Sequence, residues 1–162
     1  MLFWDTSALV KAYSIEAGTP SVLAAFKATR GRGSILTELV VLEVFTALAK
    51  RWRTNNLTKH QYTSAIAELD RDYPGSFDVV EVAEPIRQNA FQLARRYRGA
   101  SLGAMDLLHL ATALDAARVG RPEPLVFATS DGPLQSAAAA EGLPTFNPET
   151  DPLSKLLTLL SR

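Results

Sequence analysis

Short apolar runs alternate along the chain with longer stretches in which apolar residues return every three or four positions, the patterns of buried strands and of helices. MLFW at 1–4 is apolar throughout, as a strand covered on both faces would be. Ser34-Ile35-Leu36, Asp78-Val79-Val80-Glu81-Val82, Leu125-Val126-Phe127-Ala128 and Pro144-Thr145-Phe146 are further strand candidates. Helical spacing fills the intervals at 7–13, at 19–30 and from about Glu38 to Arg53. Thr58 can cap another helix, expected to end before Pro74-Gly75. Pro85 opens a helix that closes at Gly99, and Ser101 can cap the next, which Gly120 and Pro122 stop. A helix from about Pro133 to Glu141 and a leucine-rich helix after Asp151-Pro152 complete the order. Strands alternating with helices predict a three-layer α/β/α arrangement, a mostly parallel sheet between helices in one domain spanning 1–162.

Composition narrows what such a domain does. The 162 residues are 47% hydrophobic and 21% charged, a globular profile with no apolar run long enough to span a membrane. Asp5 interrupts the first apolar run after four residues, so no secretory signal is expected and cytoplasm is the default location. Absence of Cys removes disulfides and thiolate metal sites. Seventeen basic residues balance seventeen acidic ones, which disfavours a protein that lives by wrapping nucleic acid. Lys50-Arg51-Arg53 and Arg95-Arg96-Arg98 are short basic clusters near helix ends, where cations favour the dipole.

Acids in apolar surroundings carry the chemical signal. In ELVVLEVFTALAK, Glu43 is the sole charged residue between Glu38 and Lys50, with Leu39, Val40, Thr46 and Ala47 on its face. An ionised Glu there needs a partner or a route to solvent. In SLGAMDLLHLATALDAA, Asp106 stands among leucines about five residues past the Ser101 cap, which reads as too far for a dipole acid. Asp115 falls on the opposite side of that helix, and His109, one turn after Asp106, reads as a hydrogen-bonded packing histidine. Asp5 and Asp131 each follow a strand, and Asp131 or Ser130 can also cap the helix near Pro133. Ligand sites in open α/β sheets lie beyond the carboxyl ends of strands, where strand order reverses. Four carboxylates gathered there would repel unless a cation neutralised them, and an oxygen-only set favours Mg²⁺ or Mn²⁺.

A strand ending in DTSALVK, then TELVVLEVFTAL, LGAMDLLHLATAL and FATSDGPLQSAAAAEGL, resembles in order and surroundings the PIN-domain ribonucleases. The chain looks most like the single-domain toxins of VapBC toxin–antitoxin pairs, from residue 2 to about 146. The resemblance implies a metal-dependent endoribonuclease on a parallel five-stranded sheet, with Asp5, Glu43, Asp106 and Asp131 as its catalytic, metal-holding acids. It implies supporting roles for Ser7 and Thr129, an RNA substrate, a small inhibitory antitoxin and a homodimer. Gly132-Pro133 departs from the basic or polar residues relatives often carry there.

Two other readings remain at this level. A phosphatase forming an aspartyl phosphate on Asp5 would want a second acid where Ser7 stands. A non-catalytic module binding RNA or a partner would have no need of all four acids. A dinucleotide site is disfavoured, since no G-x-G-x-x-G follows the first strand. Leu153, Leu156, Leu157 and Leu160 have helical spacing that suits either packing on the domain itself or contact with a partner.

Overall fold

The computed structural model describes residues 1–29, 33–119 and 124–161. Five parallel strands, β1 (Leu2–Trp4), β2 (Ser34–Thr37), β3 (Asp78–Val80), β4 (Val126–Ala128) and β5 (Thr145–Phe146), lie in the order β3-β2-β1-β4-β5. Eight α-helices surround them: α1 (Thr6–Leu9), α2 (Thr19–Thr29), α3 (Glu38–Arg53), α4 (Lys59–Ser76), α5 (Glu84–Arg96), α6 (Ala104–Val119), α7 (Gly132–Ala140) and α8 (Leu153–Leu160). The sheet grows outward from β1 in one direction and from β4 in the other, so the strand order reverses at the β1–β4 pair.

Alternation of side chains across the strands builds two cores. Leu2, Trp4, Leu36, Val126 and Ala128 face one layer with Val22, Val40, Val44, Leu48, Leu69 and Leu156. Phe3, Ile35 and Phe127 face the other with Ile86, Leu93, Leu110 and Leu134. Phe3 stacks on Phe127 with ring centroids 5.4 Å apart, and Trp4 stacks on Phe26 at 4.7 Å. Continuous apolar strands are thus explained by helices on both faces.

Several boundaries differ from expectation for local reasons. The helix expected over 7–13 becomes α1 followed by a 3₁₀ turn at Val10–Ala12. β3 stops at Val80 because its partner β2 ends at Thr37, opposite it; the Val82 N–H turns instead to Glu38 Oε1 at 3.1 Å. α4 starts with the expected cap, a reciprocal box between Thr58 and Gln61, but runs through 74 and 75 to Ser76. Tyr73 and Phe77 pack against the core there and hold the last turn in place. α6 starts at Ala104 rather than after Ser101, and its expected stop at Gly120 and Pro122 lies outside the described residues.

The chain after β5 returns to the start of the fold. Gly18 has φ +88°, and a Cβ there would meet Pro148 C and O at 3.0 Å, so only glycine suits the crossing. Lys11, buried, places its Nζ 2.5 Å from Glu149 Oε1 and 3.4 Å from Glu16, which in turn accepts two hydrogen bonds from Arg51 Nη2 at 2.9 Å. One of the basic clusters is therefore in part a structural ion-pair network, and Arg96 of the other is bound to Glu141. Among the described residues, no helix is long and apolar enough to cross a membrane.

Candidate active site

Asp5 follows β1 and Asp131 follows β4, so adjacent parallel strands deliver both to the carboxyl end of the sheet at the reversal point. Asp5 is 3% exposed, and among the described residues one of its side-chain oxygens takes all the hydrogen bonds. Oδ2 accepts from Ser7 N at 3.1 Å, from Ser7 Oγ at 2.5 Å and from Thr129 Oγ1 at 3.0 Å. Those two hydroxyls also tie the strands together: Ser7 Oγ accepts the Ser130 N–H at 2.9 Å, and Thr129 Oγ1 accepts the Asp131 N–H at 3.1 Å. Asp131 caps α7 by accepting the Leu134 N–H on Oδ1 at 2.8 Å.

Asp106 corrects the sequence reading of its position. Because α6 begins at Ala104, Asp106 lies in the first turn, and its Oδ2 accepts the Gly103 N–H at 2.7 Å. It is a first-turn acid of the kind that the supposed Ser101 cap had excluded. It also faces the other acids: burial first, then the charges of Asp5 and Asp131, hold its carboxyl above the ordinary aspartate range despite the Gly103 bond. Asp115 points elsewhere and pairs with Arg118 at 2.8 Å.

Glu43, five residues into α3, has no backbone N–H to accept, since the helix uses them. Its Oε2 takes two side-chain donors instead, Thr6 Oγ1 at 2.6 Å and His109 Nε2 at 2.5 Å. Burial pushes its carboxyl up, but these hydrogen bonds outweigh that and hold it below the ordinary glutamate range. His109 is indeed buried and hydrogen-bonded, as expected. Its partnership with Glu43, and that of Thr6, went unread, although each sits beside a singled-out acid, Thr6 after Asp5 and His109 one turn after Asp106.

The four acids share one arrangement. Each has one oxygen held by protein donors, and none of Asp5 Oδ1, Glu43 Oε1, Asp106 Oδ1 and Asp131 Oδ2 has a hydrogen-bond partner among the described residues. Hard oxygen donors, oriented by the protein, with one oxygen to spare on each, fit Mg²⁺ or Mn²⁺. As they stand, no group of three or more His, Asp or Glu side chains among the described residues is close enough together to hold an ion. Asp106 lies within reach of both Asp5 and Asp131, while Glu43 is tied to the neighbours of Asp5 and Asp106.

Comparison with known proteins agrees with this architecture. The PIN domain family model matches residues 2–131. No curated protein matches the chain. Among solved structures, FitAcB from Neisseria gonorrhoeae aligns with TM-score 0.69 at 19% identity, covering 93% of this chain and 100% of that one. VapC20 from Mycobacterium tuberculosis, a sarcin–ricin loop cleaving toxin, gives 0.64 at 17%, covering 94% and 100%. VapBC2 from Rickettsia felis, bound to a DNA fragment from its promoter, gives 0.64 at 14%, covering 91% and 98%. At these identities the similarity is one of fold.

Proposed function

The chain belongs to the PIN domain family, and we propose from that premise that it is a metal-dependent endoribonuclease, the toxin of a toxin–antitoxin pair. The observation that carries this reading is the shared arrangement of Asp5, Glu43, Asp106 and Asp131, each with one oxygen anchored and one without a partner among the described residues. Mg²⁺ or Mn²⁺ would be held by these four residues. When bound, such an ion supplies charge for the scissile phosphate and lowers the pKa of an attacking water.

The chain's own residues do the positioning. Ser7 and Thr129 keep the Asp5 carboxylate from rotating, and the Gly103 and Leu134 amides do the same for Asp106 and Asp131. Preorganised ligands of this kind avoid reorganisation when the substrate arrives. Trp4 and Phe3, fully buried on opposite faces of β1, hold the strand end from which Asp5 projects. An aspartyl-phosphate route is disfavoured because Ser7 stands two residues after Asp5, where that chemistry wants an acid, and bonds to it.

Similarity to an RNA-cleaving toxin and to toxin–antitoxin complexes supports RNA as substrate and a small antitoxin as inhibitor; a homodimer is part of the same reading. A single PIN domain over residues 1–162, working in the cytoplasm, completes the reading. The test is direct. Full-length protein freed of antitoxin is incubated with total cellular RNA and Mn²⁺ or Mg²⁺. Cleavage is expected, abolished by chelation and lowered about 100-fold or more in Asp5→Asn and Asp106→Asn with their folds retained. RNA left intact by wild type with either ion would sink the proposal and leave a binding module in its place.

A further inference from the structure

His109 is 1% exposed, yet both of its ring nitrogens have partners from other elements. Nδ1 lies 3.1 Å from Thr37 Oγ1 at the end of β2, and Nε2 lies 2.5 Å from Glu43 Oε2 on α3. Thr37 is itself completely buried. The ring, carried on α6, therefore bridges a strand and two helices at the edge of the candidate site.

Hydrogen-bond accounting sets the sense of this chain. An ionised carboxylate only accepts, so Nε2 carries the proton that Glu43 receives. For a ring that carries its proton on Nε2, Nδ1 is the acceptor and the Thr37 hydroxyl its donor. Thr37 Oγ1, both ring nitrogens and Glu43 Oε2 then each have a partner, while Glu43 Oε1 has none among the described residues. Packing alone would not require a ring engaged at both nitrogens and aimed at an acid.

Contrast with the other acids shows why such a partner is needed. Asp5, Asp106 and Asp131 stand at helix N-termini and are held by amides or hydroxyls no more than three residues away in sequence or, for Asp5, also across the β1–β4 pair. Glu43 sits inside α3, where neighbouring amides are used by the helix, and its longer side chain has more rotamers to restrict. Its anchor has to come from elsewhere.

We propose that His109 is a positioning residue for Glu43, clamping Oε2 through Nε2–H so that Oε1 remains available to a divalent cation, with Thr37 setting the tautomer. The inference rests on the metal-dependent reading of the site. It concerns a side chain that bonds a metal-holding acid without holding the metal itself.

The experiment measures Mn²⁺ affinity of the full chain by calorimetry, without RNA. His109→Leu should weaken Mn²⁺ binding about 10- to 100-fold, the usual cost of losing an outer-shell partner. His109→Gln, whose amide N–H can stand in for Nε2–H, should stay within about threefold of wild type. In a Glu43→Gln background, adding His109→Leu should change affinity little, because the effect travels through Glu43. Wild-type affinity in a folded His109→Leu protein, failure of Gln to rescue, or an undiminished loss in the Glu43→Gln background would each overturn the inference. Should His109→Leu not fold, Thr37→Val replaces it, with an expected loss of about 10-fold, the low end for an outer-shell partner, and affinity indistinguishable from wild type overturns the inference. A wild type that binds no Mn²⁺ removes the metal-dependent reading itself; one that binds it while His109→Leu is unaffected removes only the role of His109.

Discussion

Asp5 Oδ2 accepts three hydrogen bonds, two of them from hydroxyls on different strand ends. Ser7 and Thr129 each serve two masters, donating to Asp5 and accepting an amide from the β4 end. Truncating either leaves a partly buried amide without its acceptor as well as a loosened carboxylate. Ser7→Ala and Thr129→Val are each expected to lower unfolding free energy by about 1–3 kcal/mol. RNA cleavage should fall about 10- to 100-fold, as for other supports of a metal-holding acid. Because both hydroxyls act on one oxygen, the double variant should lose less than the sum of the singles. Denaturant unfolding and a cleavage assay on the four proteins check this; additive, independent losses would show that the two hydroxyls do not work as one clasp. Ser7 was expected as a support through the family resemblance carried by DTSALVK. Thr6 was not, because its partner Glu43 is 37 residues away and only the packing of α1 on α3 joins them.

Element order was the most readable layer, since an apolar strand buried on both faces and a helix with one apolar stripe leave different periods. α3 follows its expected span from Glu38 to Arg53, whereas α6 starts later, at Ala104. The misreading of α6 is instructive. Ser101 looked like the cap because serine is a favoured one, yet Gly103 followed three residues later by Asp106 is half of a capping box. Placing Asp106 in the first turn leaves its candidacy intact and supplies the amide that orients it. α8 shows the opposite limit, where leucine spacing alone left packing and partner contact equally open. Leu156 is fully buried in the core beside α2 and β4, while Leu157 is 47% exposed. Leu156→Ala is therefore expected to cost about 2–5 kcal/mol. Leu157→Ala should stay within about 0.5 kcal/mol of wild type. Equal losses on denaturant unfolding would contradict the placement of this helix.

At the scale of the whole molecule, a formal net charge of zero conceals a gathering of acidic side chains at one end of the sheet. Asp106 shows it, its carboxyl raised by burial and by Asp5 and Asp131 together. Two parallel strands and the starts of three helices meet there, so the acids cannot move apart without disturbing the fold that delivers them. A cation that binds only this folded arrangement must stabilise the entire domain by mass action. At a Mn²⁺ concentration about 100 times its Kd, the gain is about 2.7 kcal/mol. For a chain of this size that raises Tm by roughly 5–10 °C. The control is NaCl at equal ionic strength, which screens the repulsion without occupying a site. Wild type should therefore melt higher in Mn²⁺ than in matched NaCl, with the increment growing logarithmically with concentration. Asp5→Asn and Asp106→Asn should lose most of that increment while retaining a cooperative transition. If matched NaCl raises Tm as much as Mn²⁺ does, the acids are coupled to bulk screening alone and the site holds no specific ion.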